Sequence, residues 1–349
     1  MSCNMSFYPK LPNELKRKIW ESAIEDRAIH HFKLQLPNPE GDAQEMFIEP
    51  ITGTDSSKAS AQNDPSAWRD YWNLSAVNHL SRLVVGPVEN RLTLWATDRE
   101  RLAQLERKQQ RGGASEAAPL HYGERATING ARDLVRFKLV GEDLDTGLLA
   151  NDYNHHLLRG IRHVAFDWKI DSGHGKSDWL IRPFDCAGDG HSHDDVAHCH
   201  HIVCDFLALF EDLETFYFII KVTKGEINMR WLTEHENRLR WQGNAGAVDL
   251  STRTRRKKAP QLIGETMTFF GEAAKANGLE VFRDRKRAYY EVRVQDTRRL
   301  ITHRPLWKLL KRLENRWKER LLVRTRQSAD GLTAERVPDP KFKALVYAA

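Results

Sequence analysis

Apolar residues recur along this chain with two periods, one helical and one extended. Near the N-terminus Leu15, Ile19 and Ala23 fall on one stripe with Trp20 and Ile24, while Lys16, Arg17 and Lys18 fall elsewhere. That spacing predicts an amphipathic helix over residues 10–24. The helix is entered through Pro12, since proline at a first helical position gives up no hydrogen bond. Runs at 28–36 ("AIHHFKLQL") and 45–52 ("EMFIEPIT") read as two strands of a hairpin. Helical periodicity returns over 71–86 and again over 88–110, and "RGGASEAAP" breaks it. Further strands are expected at 133–140 and 161–168, with a helix at 144–158 between them. A helix over 198–213 then runs straight into a strand at 214–220. Strand, helix and strand with short exits predict a parallel βαβ crossover.

In the last third, a helix at 260–276 stops at Asn277-Gly278, and strands are expected at 279–283 and 288–294. In the second of these, alternation assigns Tyr290, Val292 and Val294 to a buried face and Glu291, Arg293 and Gln295 to solvent. The final helix, 305–323, carries Leu306, Leu310, Leu313, Trp317 and Leu321 as one apolar stripe. The expected fold class is mixed α/β (α+β): a small mixed sheet with packed helices. It starts with a helix and a hairpin, contains at least one βαβ unit, and ends in an amphipathic helix. Three segments are expected: 5–140 with polar loops at 41–68 and 110–126, an α/β continuation at 141–240, and a basic region at 241–349.

Composition narrows the class without choosing a function. The 349 residues are 40% apolar and 29% charged, ordinary for a globular chain long enough for a sizeable core. No stretch has eighteen consecutive apolar residues, so no membrane partner is expected. The N-terminus lacks a basic start followed by an apolar block, so no secretory leader is expected. Four cysteines (Cys3, Cys186, Cys199, Cys204) without a paired framework suit a reducing compartment, cytoplasm or nucleus. The net charge of +6 is unevenly spread. Residues 251–326 hold 22 Lys and Arg against 8 Asp and Glu, so an acidic body carries a basic C-terminal third. Such a surface suits an anionic partner.

Two stretches carry a recognisable pattern. In the first, Leu11, Pro12, Glu14, Leu15, Ile19 and Trp20 form a Leu-Pro-x-Glu-Leu helix start; in the second, Val77, Asn78, Ser81 and Arg82 form a Val-Asn-x-x-Ser-Arg segment. With Asp133 opening a strand, this text resembles the two-EXR domain of filamentous fungi, named for its paired Glu-x-Arg motifs. The resemblance spans residues 5–140 and departs from the pattern at Lys16, His79 and Leu80. It implies no catalytic residue and no cofactor. The first motif also resembles the start of an F-box, which would imply a ubiquitin-ligase adaptor. On physical grounds Glu14 suits the positive end of its helix and offers Arg82 an ion-pair partner, a structural role.

The residues that suggest chemistry are few. Five of fifteen histidines lie in "GHSHDDVAHCHH" (190–201). With the helix starting at Asp194 or Asp195, Cys199, Ile202, Val203, Phe206 and Phe210 form its buried stripe. His198, His201 and Asp205 then share the outer face, a candidate zinc trio that matches no known zinc spacing. No other cofactor is expected. Cys199 and Cys204 read as core residues. The run Arg253, Arg255, Arg256, Lys257, Lys258 reads as an import signal or anion patch, and Arg298, Arg299, Arg304, Lys308, Lys311 and Arg312 as further phosphate contacts. No P-loop, Gly-x-Gly-x-x-Gly or Gly-x-Ser-x-Gly motif is present. The expected function is a non-catalytic module that binds a protein partner. The alternatives are a nuclear protein binding nucleic acid through the basic third, an F-box-like adaptor, or a histidine-metal enzyme.

Overall fold

The computed structural model describes residues 10–23, 27–36, 46–50, 77, 91–95, 125–140, 157–168, 199–234, 258–329 and 339–348. Helix α1 (Asn13–Ala23) precedes β1 (Ile29–Gln35) and β2 (Phe47–Pro50), which pair antiparallel as the expected hairpin. Strands β3 (Arg91–Trp95) and β4 (Arg125–Asn129) form a separate two-stranded sheet. Strands β5 (Leu134–Val140) and β6 (His163–Asp167), helix α2 (His200–Leu207) and strand β7 (Thr215–Val222) come next. Helix α3 (Ala259–Ala276), strands β8 (Val281–Arg283) and β9 (Ala288–Val292), helix α4 (His303–Ala329) and strand β10 (Lys341–Ala348) complete the order.

The fold is mixed α/β, built on an eight-stranded sheet ordered β2-β1-β5-β6-β7-β10-β9-β8. Strands β1, β5, β6, β7 and β10 run parallel, and β2, β9 and β8 add antiparallel edges. The predicted βαβ unit is β6-α2-β7. The sheet draws strands from all three expected segments. It also curls: Ala28, just before β1, bridges Arg283 at the far edge, and the Arg283 N–H donates to the Arg27 carbonyl at 2.9 Å.

Strand alternation divides the side chains between two faces of this curl. The outer face carries Phe32, Leu34, Val135, Phe137, Val164, Phe166, Phe216 and Phe218 against α2, α3 and α4, the main core. Each fully buried aromatic or Leu there contributes roughly 1.5–3 kcal/mol of burial free energy. The α4 stripe is as expected, with Leu306, Leu310, Leu313 and Trp317 buried. Gly271 lets α3 approach β9, since a Cβ there would come within 3.3 Å of the Tyr290 ring. The inner face holds a smaller cluster of Ile29, Leu134, Ala165, Tyr217, Ile219, Phe282, Tyr289, Leu345 and Tyr347. Phe282 on β8 meets Tyr217 on β7 across the curl, with ring centroids 5.5 Å apart.

Several expectations are corrected. Arg91–Trp95, assigned to a helix over 88–110, is a strand paired with β4; Leu92 and Leu94, two residues apart, share one face of its pleat. Helix α1 begins at Asn13, and Pro12 stands before it, its carbonyl accepting the Lys16 N–H at 3.0 Å. The α1 stripe is not wholly buried: Trp20 is 8% exposed, but Leu15 and Ile19 are 46% and 41% exposed. Strand β9 is buried on both faces, because the curl encloses the side assigned to solvent. Glu291 is buried there, paired with Lys343 Nζ at 2.8 Å, while Val294, past the strand end, is exposed. Strand β10 was not expected at all.

Candidate functional site

The residues singled out in the sequence fall into three groups. In the first motif Glu14 is exposed on the leading turn of α1 and Leu11 is half-buried. Asn78, Ser81 and Arg82 lie outside the described residues, as do His198, Asp194, Asp195 and Arg253, Arg255, Arg256 and Lys257. Lys258 is exposed and occupies the N-cap position of α3.

Asp133 stands immediately before β5 and is fully buried. Its carboxylate accepts from the Asn129 N–H at 2.9 Å and the Ala28 N–H at 3.3 Å, and it meets His30 Nε2 at 3.0 Å. These bonds fasten the start of β1 to the start of β5.

Of the outer-face trio, His198 lies outside the described residues and Asp205 is engaged by an arginine. Asp205 on α2 is an ion-pair partner of Arg320 on α4, at 2.5 Å. His201 is half-buried on the same short helix. Among the described residues no three His, Cys, Asp or Glu side chains are grouped for a metal ion. Cys199 and Cys204 are free and buried, as expected. Burial, reinforced by Asp205, pushes the Cys204 thiol up to about 12, and its Sγ faces the Leu313 carbonyl at 3.7 Å, so it is not a ready nucleophile.

Two of the predicted phosphate contacts do come together. Residues 226–228 and 299–301 pair through the Ile227–Leu300 bridge, the Asn228 N–H to Arg299 carbonyl bond at 2.7 Å, and the Ile301 N–H to Glu226 carbonyl bond at 2.8 Å. This sets helical residues 229–234, entered through the Asn228 Oδ1 cap on the Trp231 N–H, beside the head of α4. Between them is a cleft of 790 Å³, lined by Trp231, Leu300, Ile301 and Pro305 with Arg230, Arg298, His303 and Arg304. That size lies within the roughly 300–1,000 Å³ of ligand pockets.

The charge of this cleft is positive. Glu234, its one carboxylate among the lining residues, is taken by Arg230 Nε at 2.9 Å. Arg298 and Arg304 are exposed and form no ion pair among the described residues. The Arg299 guanidinium lies 3.5 Å over the Phe269 ring and 5.6 Å from Trp231, holding the indole in place. Thr297 Oγ1 accepts from Trp307 Nε1 at 2.6 Å, donates to the Val294 carbonyl and meets His303 Nδ1 at 2.9 Å. With its proton committed to Val294, the hydroxyl accepts from Nδ1–H, which leaves the His303 Nε2 lone pair free of a proton. Burial, with Arg298 and Arg304, lowers the His303 pKa, so the ring is neutral at pH 7. Lys311, by contrast, is occupied by Glu314 at 3.0 Å on the outer face of α4.

A third polar group went unnoticed in the sequence because its members are far apart there. Inside the curl, Asp167 on β6 binds Arg136 on β5 at 2.6 Å, and Arg136 Nη1 reaches His31 Nδ1 on β1 at 3.4 Å. His31 Nε2 meets Asp284 Oδ2 at 3.2 Å, and the Tyr289 hydroxyl donates to the same oxygen at 2.7 Å. An arginine donates and does not accept, so Nδ1 is the acceptor of His31 and Nε2–H donates to Asp284. Burial lowers the His31 pKa, despite Asp284, and keeps the ring neutral. Burial alone would raise Asp284, but the bonds from His31, Tyr289 and the Lys286 N–H outweigh it and hold the carboxylate below its usual range. Every member is bonded to the next, so this chain ties β1, β5 and β6 to the β8–β9 turn across the curl.

Among the described residues no helix is long and apolar enough to cross a membrane. No family model matches the chain, and neither does any curated protein or any solved structure.

Proposed function

We propose that this protein is a non-catalytic interaction module that receives an acidic segment of a partner protein in the cleft at the head of α4. The observation that carries this reading is the pair Arg298 and Arg304, both without carboxylate partners among the described residues, beside an indole fixed by Arg299. Two uncompensated guanidiniums bind carboxylate or phosphate bidentately, and an aromatic wall adds contact area. The basic excess of residues 251–326 steers an acidic partner to the same region. The resemblance of residues 5–140 to a two-EXR domain agrees with a binding role, since that pattern implies no catalytic set. The free thiols of Cys199 and Cys204 favour a reducing compartment, and we place the protein in cytoplasm or nucleus.

The test is affinity purification of the tagged chain from its native cells, with and without nuclease, beside an Arg298→Glu/Arg304→Glu variant. Both side chains are exposed, so the variant should keep the wild-type melting temperature. A protein set that survives nuclease and is lost from the variant is the expected result. Partners released by nuclease would move nucleic acid to the front, and partners retained by the variant would exclude the cleft.

A further inference from the structure

A second cationic surface lies at the mouth of the curled sheet, away from the cleft and outside the basic run of the sequence. At the carboxyl ends of the parallel strands, Lys33 on β1 and Lys138 on β5 are partners in register. Lys221 on β7 is the register partner of Tyr347 on β10. Alternation places all three lysines on the inner face, together with Arg136, Asp167 and Tyr347. Lys138 and Lys221 are exposed and Lys33 is half-buried. Among the described residues none of the three pairs with a carboxylate. Arg287, from the β8–β9 turn, lies 5.2 Å from the Tyr347 ring, and Arg136 lies 5.6 Å from it.

The charges around this mouth do not balance. Lys33, Lys138, Lys221, Arg136 and Arg287 face Asp167, which Arg136 already engages, and Glu49 is the register partner of Lys33 on β2. Asp284, deeper in the curl, is committed to His31, Tyr289 and the N–H groups of Lys286 and Arg287. Like charges opposite one another in a sheet are destabilising, and Glu49 flanks Lys33 on one side only, so the Lys33–Lys138 pair favours an anion between them. The carboxyl ends of parallel strands are where α/β sheets take ligands. With strands about 4.8 Å apart, the three lysines span roughly 14 Å along the sheet, too far for a single-charge anion to meet them all. A sheet of about eight strands curled on itself leaves room for one small ligand at its mouth and not for a duplex.

We infer that the mouth of the curl, through Lys33, Lys138 and Lys221 with Arg136 and Arg287, binds a small molecule bearing several phosphates. Arg136, held in place by Asp167 and Tyr347, contributes fixed positive charge, while the lysines close on the ligand as point charges. This site is independent of the cleft at the head of α4.

Calorimetric titration of the full chain with inorganic tripolyphosphate and, separately, with ATP tests it, at about 150 mM salt. The wild type should bind both, and Lys138→Ala/Lys221→Ala should weaken both by about tenfold or more. Lys18→Ala/Lys275→Ala removes the same charge from exposed helix positions outside both cationic surfaces and should leave both affinities unchanged. The lysine variant should melt no lower than the wild type without ligand, and should lose the rise in melting temperature that tripolyphosphate gives. No binding by the wild type would overturn the inference. So would equal weakening by the two double variants, which reports net charge alone, or ATP binding that survives loss of the lysines.

Discussion

At the scale of the residue, the polar groups that matter most are buried and already partnered. His31 and Asp284 make the inside of the curl sensitive to acid, and the sign follows from their shifts. A histidine in the unfolded chain titrates near pH ~6.5, while buried His31 resists protonation, so stability falls as pH drops below that value. Asp284 is held below its usual range, so its contribution is present above pH ~4 and is lost as pH falls through its folded value. His163, lowered by burial although its ring bonds the Ala131 carbonyl, acts in the same direction as His31. The denaturant midpoint should therefore fall between about pH 7.5 and 5.5. A His31→Gln variant should be less stable at the higher pH by about 1–3 kcal/mol and flatter across the range. An unchanged slope in the variant would remove His31 as the cause. None of this was readable from the chain, since His31 and Asp284 are 253 positions apart.

Elements with one strong period were legible, and those whose pattern is shared by two structures were not. Helix α3 shows why its end was clear. Asn277 is the C-cap and Gly278 follows at φ 59°, with Leu279 N–H bonded to the Ala274 carbonyl at 2.9 Å and Gly278 N–H to Lys275. That is a Schellman stop, which only a residue at ease in the left-handed region makes cheaply. No atom lies within 4 Å of a Cβ built at Gly278, so Gly278→Ala tests backbone strain alone. It should cost about 1 kcal/mol, measured as a lower denaturation midpoint with unchanged slope. Wild-type stability in the variant would mean the turn relaxes. Strand β10 shows the opposite case. "KFKALVYA" carries lysines at its first and third positions and reads as a polar end. Yet Lys343 is tied to Glu291, and the strand lies between β7 and β9 with both faces covered. Strand β3 was lost for another reason: Leu92 and Leu94 alternate as a strand does, but Leu102 and Leu105 further on are three apart, as on a helix face.

For the whole molecule, β10 is the strand that joins the two walls of the curl. It runs parallel to β7 from Lys341 to Ala348 and antiparallel to β9. It buries Ala344 and Val346 under the helices and Leu345 and Tyr347 inside the curl. A chain lacking residues 341–348 would leave edges exposed on β7 and β9 and both cores open. Far-ultraviolet circular dichroism should show no cooperative melt for it, and size exclusion should show association. A truncated monomer with the wild-type transition would disprove this account of the sheet. The same closure makes the proposed phosphate site a property of the assembled curl, since Lys33, Lys138 and Lys221 meet only when β1, β5 and β7 share one sheet.

The sequence by itself determined the fold class, the hairpin, the βαβ unit, the amphipathic α4 and the basic character of the last third. Each depends on residues within a few turns or pleats of one another, where periodicity records which side is buried. It also singled out Arg298 and Arg304, though not the cleft around them. Tertiary structure alone decided that the sheet curls, that Glu291 is therefore buried, and that Asp205 pairs with Arg320. It also decided which lysines stand together at the mouth of the curl. Pairing between distant strands sets those outcomes, and a local pattern of apolar and polar positions carries no record of the partner.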